Sequence, residues 1–200
     1  MLYRTYAIKK SFKGTGDLSG AQMVNPGARP KAIMSRTIRV QVGEEAPDFT
    51  LKDEQGRDWR LSKQRGQVVV LLFYPGDETP VCTKQLCSVR DHWDDYTGTG
   101  ASVVGISTDT VDSHRKFSEN HQLPLRLLAD PEGQVTGLYN VRSWIPGRSA
   151  RAVIVVDADG VVRHRQVQPL SIFRPKDDQV LKAIRLAQSD QASPAGDAGL

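Results

Sequence analysis

The chain has 200 residues, of which 38% are hydrophobic and 25% charged, and its formal net charge at pH 7 is +4. This length accommodates one domain of ordinary size with a tail, and the composition is typical of a globular protein. No apolar run approaches the roughly 18 residues that a membrane-spanning helix needs, so we expect no membrane partner.

The net positive charge belongs to the beginning of the chain. Residues 1–41 contain eight Lys and Arg and one acid, a net charge of +7, whereas residues 42–200 carry 19 basic and 22 acidic residues, a net charge of −3. The body therefore lacks the basic stripe that nucleic-acid-binding proteins use, and we predict no nucleic-acid partner. Residues 1–41 have Gly, Pro, Ser and Lys without any period, which predicts a basic, disordered N-terminal extension.

Two interpretations of this extension stay open. It lacks the apolar stretch of a secretory signal, and it is acid-poor like an organelle transit peptide without being rich in Ser. The other interpretation is a translation start assigned too far upstream, because Met34 closely precedes the body. We predict a cytoplasmic location.

From residue 42 onward, strand and helix patterns alternate. In chain order they are a hairpin over 49–61, a buried strand over 68–74, a helix over 81–96, a buried strand over 101–107, a helix over 111–121 ended by Pro124, a strand over 152–156, a turn at Asp159-Gly160 into a strand over 161–167, and a helix over 177–188. This order predicts an α/β protein of thioredoxin-like fold, with a central mixed β-sheet flanked by helices on both faces. The domain is predicted to span residues 42–188, and residues 189–200 to form a flexible C-terminal tail.

The two cysteines of the chain, Cys82 and Cys87, lie at the start of one predicted helix. Thr79 suits the N-cap and Pro80 the first helical position, which puts Cys82 at the third. A thiol there lies among unpaired backbone N–H groups at the positive end of the helix dipole, and both favour the thiolate. At about 100° per residue, Leu86 follows on the same side as Cys82, so Cys82 points into the body while Cys87 lies on the outer flank.

The spacing of the cysteines limits what they can form. Five residues of helix separate them by about 7.5 Å along the axis, and a disulfide rarely tolerates Cα atoms more than about 7 Å apart. A Cys82–Cys87 disulfide therefore requires local unwinding of the helix. Two Cys at this spacing without a nearby His pair do not make a four-ligand zinc site, so we predict no metal and no other cofactor. The alternative is that both are small buried hydrophobic residues.

A longer pattern surrounds the first cysteine. The segment Phe73–Thr83 contains Pro75, Thr79 and Cys82 in the spacing Pro-x3-Thr-x2-Cys. This segment resembles the active-site loop of the peroxiredoxin family. The second cysteine, five residues on in the same helix, resembles the bacterioferritin-comigratory-protein (peroxiredoxin Q) branch. The resemblance covers about residues 40–188 and includes the segments Gly43–Leu51 and Arg151–Asp157.

The resemblance implies roles for five residues. Cys82 would be the peroxidatic nucleophile and Cys87 the resolving thiol, Thr79 and Arg151 would complete the site, and Pro75 would shield it. It also implies the substrates, hydrogen peroxide and alkyl hydroperoxides, and a reductant, thioredoxin or a similar dithiol, acting on a monomer without a cofactor. Arg151 would supply a fixed positive charge for the thiolate.

Several residues depart from the family pattern or leave a choice. Val153 stands where the family has Thr or Ser, and Gln85 stands where Glu is common, which removes an orienting carboxylate. Arg148 is a second candidate for the site arginine, but the family has its arginine six residues before the Asp that ends the strand, and the spacing to Asp157 therefore favours Arg151. The acids Asp77 and Glu78 would oppose thiolate formation nearby, so we expect both to point to solvent.

Other residues are assigned structural roles. Trp144 and Ile145, in the loop before Arg151, are predicted to pack in the core, with lining of the peroxide pocket as the alternative. The four histidines of the chain have no ligand spacing and are expected at the surface or partly packed: His92, His114, His121 and His164.

Two other functions remain as alternatives. A thioredoxin-like disulfide reductase usually needs Cys-x-x-Cys, which this chain lacks. A redox-sensing or chaperone-like binding protein would use the same Cys pair as a switch, but it would show negligible turnover with thioredoxin.

Overall fold

The computed structural model describes residues 40–168 and 175–192. Of the predicted disordered extension over 1–41 and the predicted flexible tail over 189–200, residues 1–39 and 193–200 lie outside the described residues, whereas Val40 is buried and residues 189–192 belong to a helix. Within the described residues, seven strands form one sheet in the order β2-β1-β5-β4-β3-β6-β7. The strands are β1 Thr50–Asp53, β2 Asp58–Arg60, β3 Val69–Phe73, β4 Ser102–Ser107, β5 Arg126–Ala129, β6 Arg151–Val156 and β7 Val162–Gln168. The helices are α1 Pro80–Asp91, α2 Trp93–Thr97, α3 Val111–His121, α4 Gln134–Leu138 and α5 Asp177–Ala192, with a 3-10 turn at Leu61–Gln64.

The sheet is mixed, as predicted. Strands β3, β4 and β5 are parallel neighbours, whereas β6 pairs antiparallel with β3, and β1 pairs antiparallel with β5. Every residue of β3 is buried, which explains its continuous apolar sequence. The thioredoxin-like α/β fold predicted from the sequence is confirmed.

Side chains of the central strand β3 point alternately to the two faces of the sheet, and each face has its own layer of the core. Val70 and Leu72 of β3 face the layer that holds Leu86 of α1, Phe117 of α3 and Ile184 of α5. The intervening residues of β3 face the opposite layer, which is closed by α4 and by the β1–β2 hairpin. Helices therefore cover both faces, with the longer ones on the side that carries the cysteines. Among residues 40–168 and 175–192, no helix has the length and apolar character to span a membrane.

Some predicted boundaries differ from the observed ones. The predicted helix over 81–96 is interrupted at His92, whose ψ of 22° leaves the helical range, so that α1 and α2 are separate. Helix α3 spans residues 111–121 as predicted, but the residue that ends it is Gln122, which adopts the left-handed conformation at φ 50°, and not Pro124. Helix α5 continues to Ala192, four residues beyond the predicted end.

Two short elements, β5 and α4, are absent from the sequence-based prediction. They have four and five residues, too few to show a clear period. Strand β5 forms because it pairs with both β4 and β1, which is a tertiary effect.

The pairing of β3 with β6 places the candidate site. In this antiparallel pair Phe73, the last residue of β3, lies opposite Ala152. The start of β6 is therefore beside the loop that leads from β3 into α1. Arg151 and Cys82 are brought to one place in this way, although 69 residues separate them.

Candidate active site at the start of helix α1

The N-terminus of α1 has the predicted layout. Thr79 is the N-cap in an extended conformation, and Pro80 follows at the first helical position. The Thr79 hydroxyl does not cap the helix and instead donates to the carbonyl oxygen of Gly76 at 3.1 Å. Its lone pairs therefore remain available to accept a hydrogen bond from a bound molecule.

The Cys82 side chain points into the body. Its exposed fraction is 1%, and it shares a buried cluster with Leu86 and Val89 of the same helix, as the helical spacing predicts. Trp93, which begins α2, packs only partly against this cluster because the chain bends at His92. The thiol therefore lies in a dry environment, where electrostatic interactions are stronger than in water.

Arg151 lies against this thiol. Its Nη2 donates to Cys82 Sγ at 3.4 Å, and the whole residue is 1% exposed. Its Nη1 donates to Oε1 of Gln85, a residue that is also buried. Gln85 stands where a carboxylate was expected to orient the site, and its amide oxygen orients the guanidinium without adding negative charge beside the thiol.

Arg148, the alternative arginine, occupies a different place. Its Nη1 donates to the carbonyl oxygen of Pro75 at 3.0 Å and lies 3.7 Å from Oδ1 of Asp109. It passes so close to Gly76 that a Cβ there would meet the guanidinium at 1.9 Å. The structure thus brings Arg151, rather than Arg148, to Cys82, while Arg148 holds the loop from outside.

Pro75 lies in the loop between β3 and α1. Pro75 is half-buried, and Ser149 donates from Oγ to the preceding carbonyl of Tyr74 at 2.5 Å. Val153 is fully buried in the same cluster as Cys82, so its side chain contributes packing at this position.

Asp77 does not point to solvent, and that expectation is wrong. Its side chain is 3% exposed and accepts hydrogen bonds from Tyr74 at 2.8 Å and from Ser113 at 2.7 Å, and it contacts Nδ1 of His114 at 2.9 Å. Burial raises the pKa of Asp77, but the interactions with His114, Ser113 and Tyr74 outweigh it and hold the pKa below its ordinary value. The Asp77 carboxylate therefore stays ionised, and its partners hold it within the body.

His114 is fully buried, which the sequence prediction of a surface or partly packed histidine did not anticipate. Its Nε2 lies 3.2 Å from the carbonyl oxygen of Leu128. Burial and the nearby Asp77 carboxylate raise the pKa of Tyr74 well above its ordinary value, so the Tyr74 hydroxyl stays protonated and donates. This cluster ties the loop to α3, and no local sequence pattern reveals it because its members lie up to 40 residues apart.

Glu78 does point outward, as predicted, but it has partners. Its backbone is left-handed at φ 53°, and its carboxylate accepts from Asn120 at 3.0 Å and contacts Nε2 of His121 at 3.0 Å. The hydrogen bond from Asn120, together with that from His121, lowers the pKa of Glu78.

Cys87 lies on the outer flank of α1 and is half-buried. Its Sγ is 4.0 Å from Nδ1 of His121 at the end of α3. Both cysteines are free thiols on one continuous helix, and the need for unwinding before they can bond stays a prediction. The contact with His121 is not predicted by the sequence, because it depends on how α1 packs against α3.

Trp144 and Ile145 do not pack in the core, and that prediction is wrong. They are 76% and 42% exposed. Ile145 instead lines an open cavity of about 310 Å³ together with Arg148 and Thr136. Within residues 40–168 and 175–192, no three His, Cys, Asp or Glu side chains are grouped so that they could hold a metal ion.

Comparison with known proteins identifies relatives of the whole body. The family model described as the AhpC/TSA family matches residues 42–165. The chloroplastic peroxiredoxin Q of Sedum lineare is 44% identical over 165 residues, covering 80% of this chain and 88% of that protein. The wheat chloroplastic peroxiredoxin Q is 39% identical over 165 residues, covering 80% of this chain and 76% of that protein.

Solved structures similar to this chain are also peroxiredoxins. The crystal structure of the peroxidoxin BcpB from Mycobacterium tuberculosis has a TM-score of 0.66 and 33% identity, and it covers 76% of this chain and 98% of that chain. The reduced 2-Cys peroxiredoxin of Plasmodium vivax has a TM-score of 0.69, covers 80% of this chain and 91% of that chain, and is 23% identical, so it supports the fold alone.

These relatives correct one prediction. The cytoplasmic location inferred for this chain is contradicted, because the matched peroxiredoxin Q proteins are named chloroplastic. The prediction rested on the scarcity of Ser in an acid-poor extension. Composition is a weak criterion here, because a targeting segment is read by a receptor and needs no packed structure of its own.

Proposed function

Because the chain belongs to the AhpC/TSA family of peroxiredoxins, which are thiol peroxidases, we propose that it reduces hydrogen peroxide and alkyl hydroperoxides at Cys82 and is recycled by a dithiol such as thioredoxin. The observation that carries the proposal is the 3.4 Å contact between Arg151 Nη2 and Cys82 Sγ at a buried helix N-terminus. A fixed cation and the positive end of a helix dipole both stabilise a thiolate, which is the nucleophilic form.

In the first step, the Cys82 thiolate attacks one peroxide oxygen and becomes a sulfenic acid, while the O–O bond breaks and the other oxygen leaves as hydroxide or alkoxide, which takes a proton from solvent to give water or alcohol. The Arg151 guanidinium and the first N–H groups of α1 stabilise the negative charge that develops on the leaving oxygen. The Thr79 hydroxyl gives its hydrogen to Gly76, so toward the peroxide it acts as an acceptor. Pro75 contributes no N–H that would compete for the substrate.

In the second step, Cys87 attacks the Cys82 sulfenic acid and water leaves, giving an intramolecular disulfide. The first turns of α1 must unwind for this. Ser88 donates from Oγ to Asp177 Oδ2 at 2.6 Å, and Tyr96 donates to Oδ1 of the same carboxylate at 2.8 Å. The Ser88 contact holds the second half of α1 against the start of α5 and the Tyr96 contact holds α2 there, so we place the unwinding in the residues before Ser88.

In the third step, an external dithiol attacks the disulfide and restores both thiols. We propose thioredoxin for this role and a monomeric protein as the working unit. The intact helix cannot form the Cys82–Cys87 disulfide, so the oxidised segment is unwound. Unwinding would expose this segment and give the reductant access to the disulfide.

The test is a peroxidase assay coupled to thioredoxin and its reductase, comparing hydrogen peroxide with a bulky alkyl hydroperoxide. We expect turnover with the wild type and none with Cys82→Ser; residual turnover in that variant would refute Cys82 as the nucleophile. If wild-type Cys82 is oxidised but turnover with thioredoxin is negligible, the redox-sensing interpretation replaces this one.

A further inference from the structure

The resolving thiol belongs to a row of three side chains from three segments. Cys87 Sγ on α1 lies 4.0 Å from Nδ1 of His121, the last residue of α3, and His121 Nε2 lies 3.0 Å from Glu78 Oε2 in the loop before α1. Carboxylate, imidazole and thiol in this order form the arrangement in which a base activates a nucleophile and a third group orients the base.

The hydrogen bonds assign the ring protons of His121. Glu78 accepts from Asn120 with its other oxygen and stays ionised, so Nε2 of His121 donates to it. In the neutral ring the other nitrogen, Nδ1, then carries a lone pair, and this is the atom that faces the thiol. His121 is therefore held in the tautomer that can accept a proton from Cys87.

The ring is also fixed in position. The His121 side chain is 24% exposed and stands edge-on to the Phe117 ring with centroids 4.9 Å apart, and its carbonyl accepts from Arg90 Nη1 at 2.7 Å. Charged groups face the Cys87–His121 pair from two segments: Glu78 from the loop, and Arg90 from α1, which is itself paired with Asp91.

We propose that His121 is the general base of the resolving step and that Glu78 is its positioning residue. This rests on the proposed function, since it requires a sulfenic acid on Cys82. The Cys87 proton moves to Nδ1, the Cys87 thiolate attacks Cys82 Sγ, an S–S bond forms and the S–O bond breaks. The leaving hydroxide takes the proton back from His121, so the products are a disulfide, water and a neutral imidazole.

The same contacts decide which cysteine travels. Cys87 is held between His121 of α3 and the adjacent Ser88, which is anchored on Asp177. The turn that carries Cys82 contacts Arg151 through Cys82 and Gln85, and it is this turn that must release those contacts, unwind and move toward a base-activated thiol that stays in place. The contact of 4.0 Å in the reduced state is long, as is common for catalytic hydrogen bonds before the reacting complex forms.

The expected size of the effect follows from thiol ionisation. A thiol with the ordinary pKa of about 8.5 is only about 3% ionised at pH 7, so a base that removes its proton can speed the attack by up to about 30-fold. At pH 9 most such thiols ionise without help, and the advantage of the base disappears.

The experiment measures disulfide formation in a single turnover without thioredoxin. Full-length wild type, His121→Gln, Glu78→Gln and the control His164→Gln, on the edge strand β7, are mixed with one equivalent of hydrogen peroxide between pH 5.5 and 9. The reaction is quenched with a sulfenate-trapping dione and a thiol alkylator, and mass spectrometry counts sulfenate and disulfide. Circular dichroism establishes that each variant is folded.

We expect disulfide formation in His121→Gln to be 10–30-fold slower at pH 7 and equal to wild type near pH 9, with a smaller loss in the same direction for Glu78→Gln and less than twofold change for His164→Gln. A wild-type rate in His121→Gln, or an equal slowing at every pH, would overturn the assignment and leave His121 a structural residue. If wild-type Cys82 forms no sulfenate at all, the proposed function fails before this step.

Discussion

Replacement of Arg151 by Met tests how much the buried guanidinium contributes to peroxide reduction. The side chain is 1% exposed and its Nη2 lies 3.4 Å from Cys82 Sγ. At an effective dielectric constant of 20, two unit charges about 4 Å apart attract by about 4 kcal/mol, which corresponds to roughly three powers of ten in an equilibrium. Water entering the vacated space would recover part of this, so we expect Cys82 oxidation to slow by about 100-fold at pH 7.

The assay is the second-order rate of Cys82 oxidation, followed by stopped flow in the Cys87→Ser background so that resolution does not contribute. Arg151→Lys keeps the charge but loses the planar fork that reaches both Cys82 and Gln85, so it should fall between wild type and Arg151→Met. Arg165→Met, on β7, is the control for the loss of a partly buried arginine. The loss in Arg151→Met should shrink as pH rises, because the thiol then ionises without the cation.

A folded Arg151→Met protein that oxidises within threefold of wild type at pH 7 would refute the reasoning. A loss that is equally large at pH 7 and pH 9 would also count against it, since it would indicate misplacement of the loop. Thermal unfolding of each variant separates these outcomes from simple destabilisation, which we expect because Arg151→Met leaves the buried Gln85 oxygen without its donor.

Three further predictions concern the scaffold around the thiol. Asp77→Asn should lower the free energy of unfolding by about 3 kcal/mol at pH 7, because it leaves buried His114 without its carboxylate partner. The pKa of Asp77 is lower in the folded than in the unfolded protein. The ionised carboxylate therefore stabilises the fold above its unfolded-state pKa near 3.8, and this stabilisation is lost as the pH falls below that value. The free energy of unfolding of Asp77→Asn, measured in urea, should consequently depend less on acid pH than that of the wild type. Hydrogen exchange of the peroxide-oxidised protein should speed up for residues 81–87 and stay slow around Tyr96, which remains bonded to Asp177; equal protection in both redox states would contradict the unwinding. Leu86→Ala should destabilise by about 3 kcal/mol in chemical denaturation, as expected for a fully buried Leu, and a loss under 1 kcal/mol would contradict its core position.

The charges around Cys82 differ from the net charge of the body. The body has a net charge of −3, yet the cation beside Cys82 is buried and its orienting partner, Gln85, is neutral. The nearby acid Asp77 is tied to His114 and Ser113 instead of facing the thiol. The local environment of one sulfur is therefore set by a few buried groups and not by the net charge of the chain.

Local sequence patterns were sufficient to predict the central strand, the start of α1 and the inward direction of Cys82. An apolar run, an N-cap followed by Pro, and helical spacing act within a few residues, so they can be recognised without a fold. The roles of Cys87, Thr79, Pro75 and Arg151 came from the family resemblance, and those roles stay predictions even though the structure brings Arg151 to Cys82.

The remaining features depend on contacts between distant residues. Strand β5 exists because β4 and β1 flank it, Trp144 is exposed because its loop does not meet the core, and Asp77 is buried because α3 brings His114 over it. Cys87 meets His121 across 34 residues, and His121 meets Glu78 across 43. The sequence by itself predicted which sulfur atoms would do the chemistry and determined how one helix presents them, whereas only the tertiary structure decided which charged groups and imidazoles face them, because helix packing and strand pairing join residues that no local spacing connects.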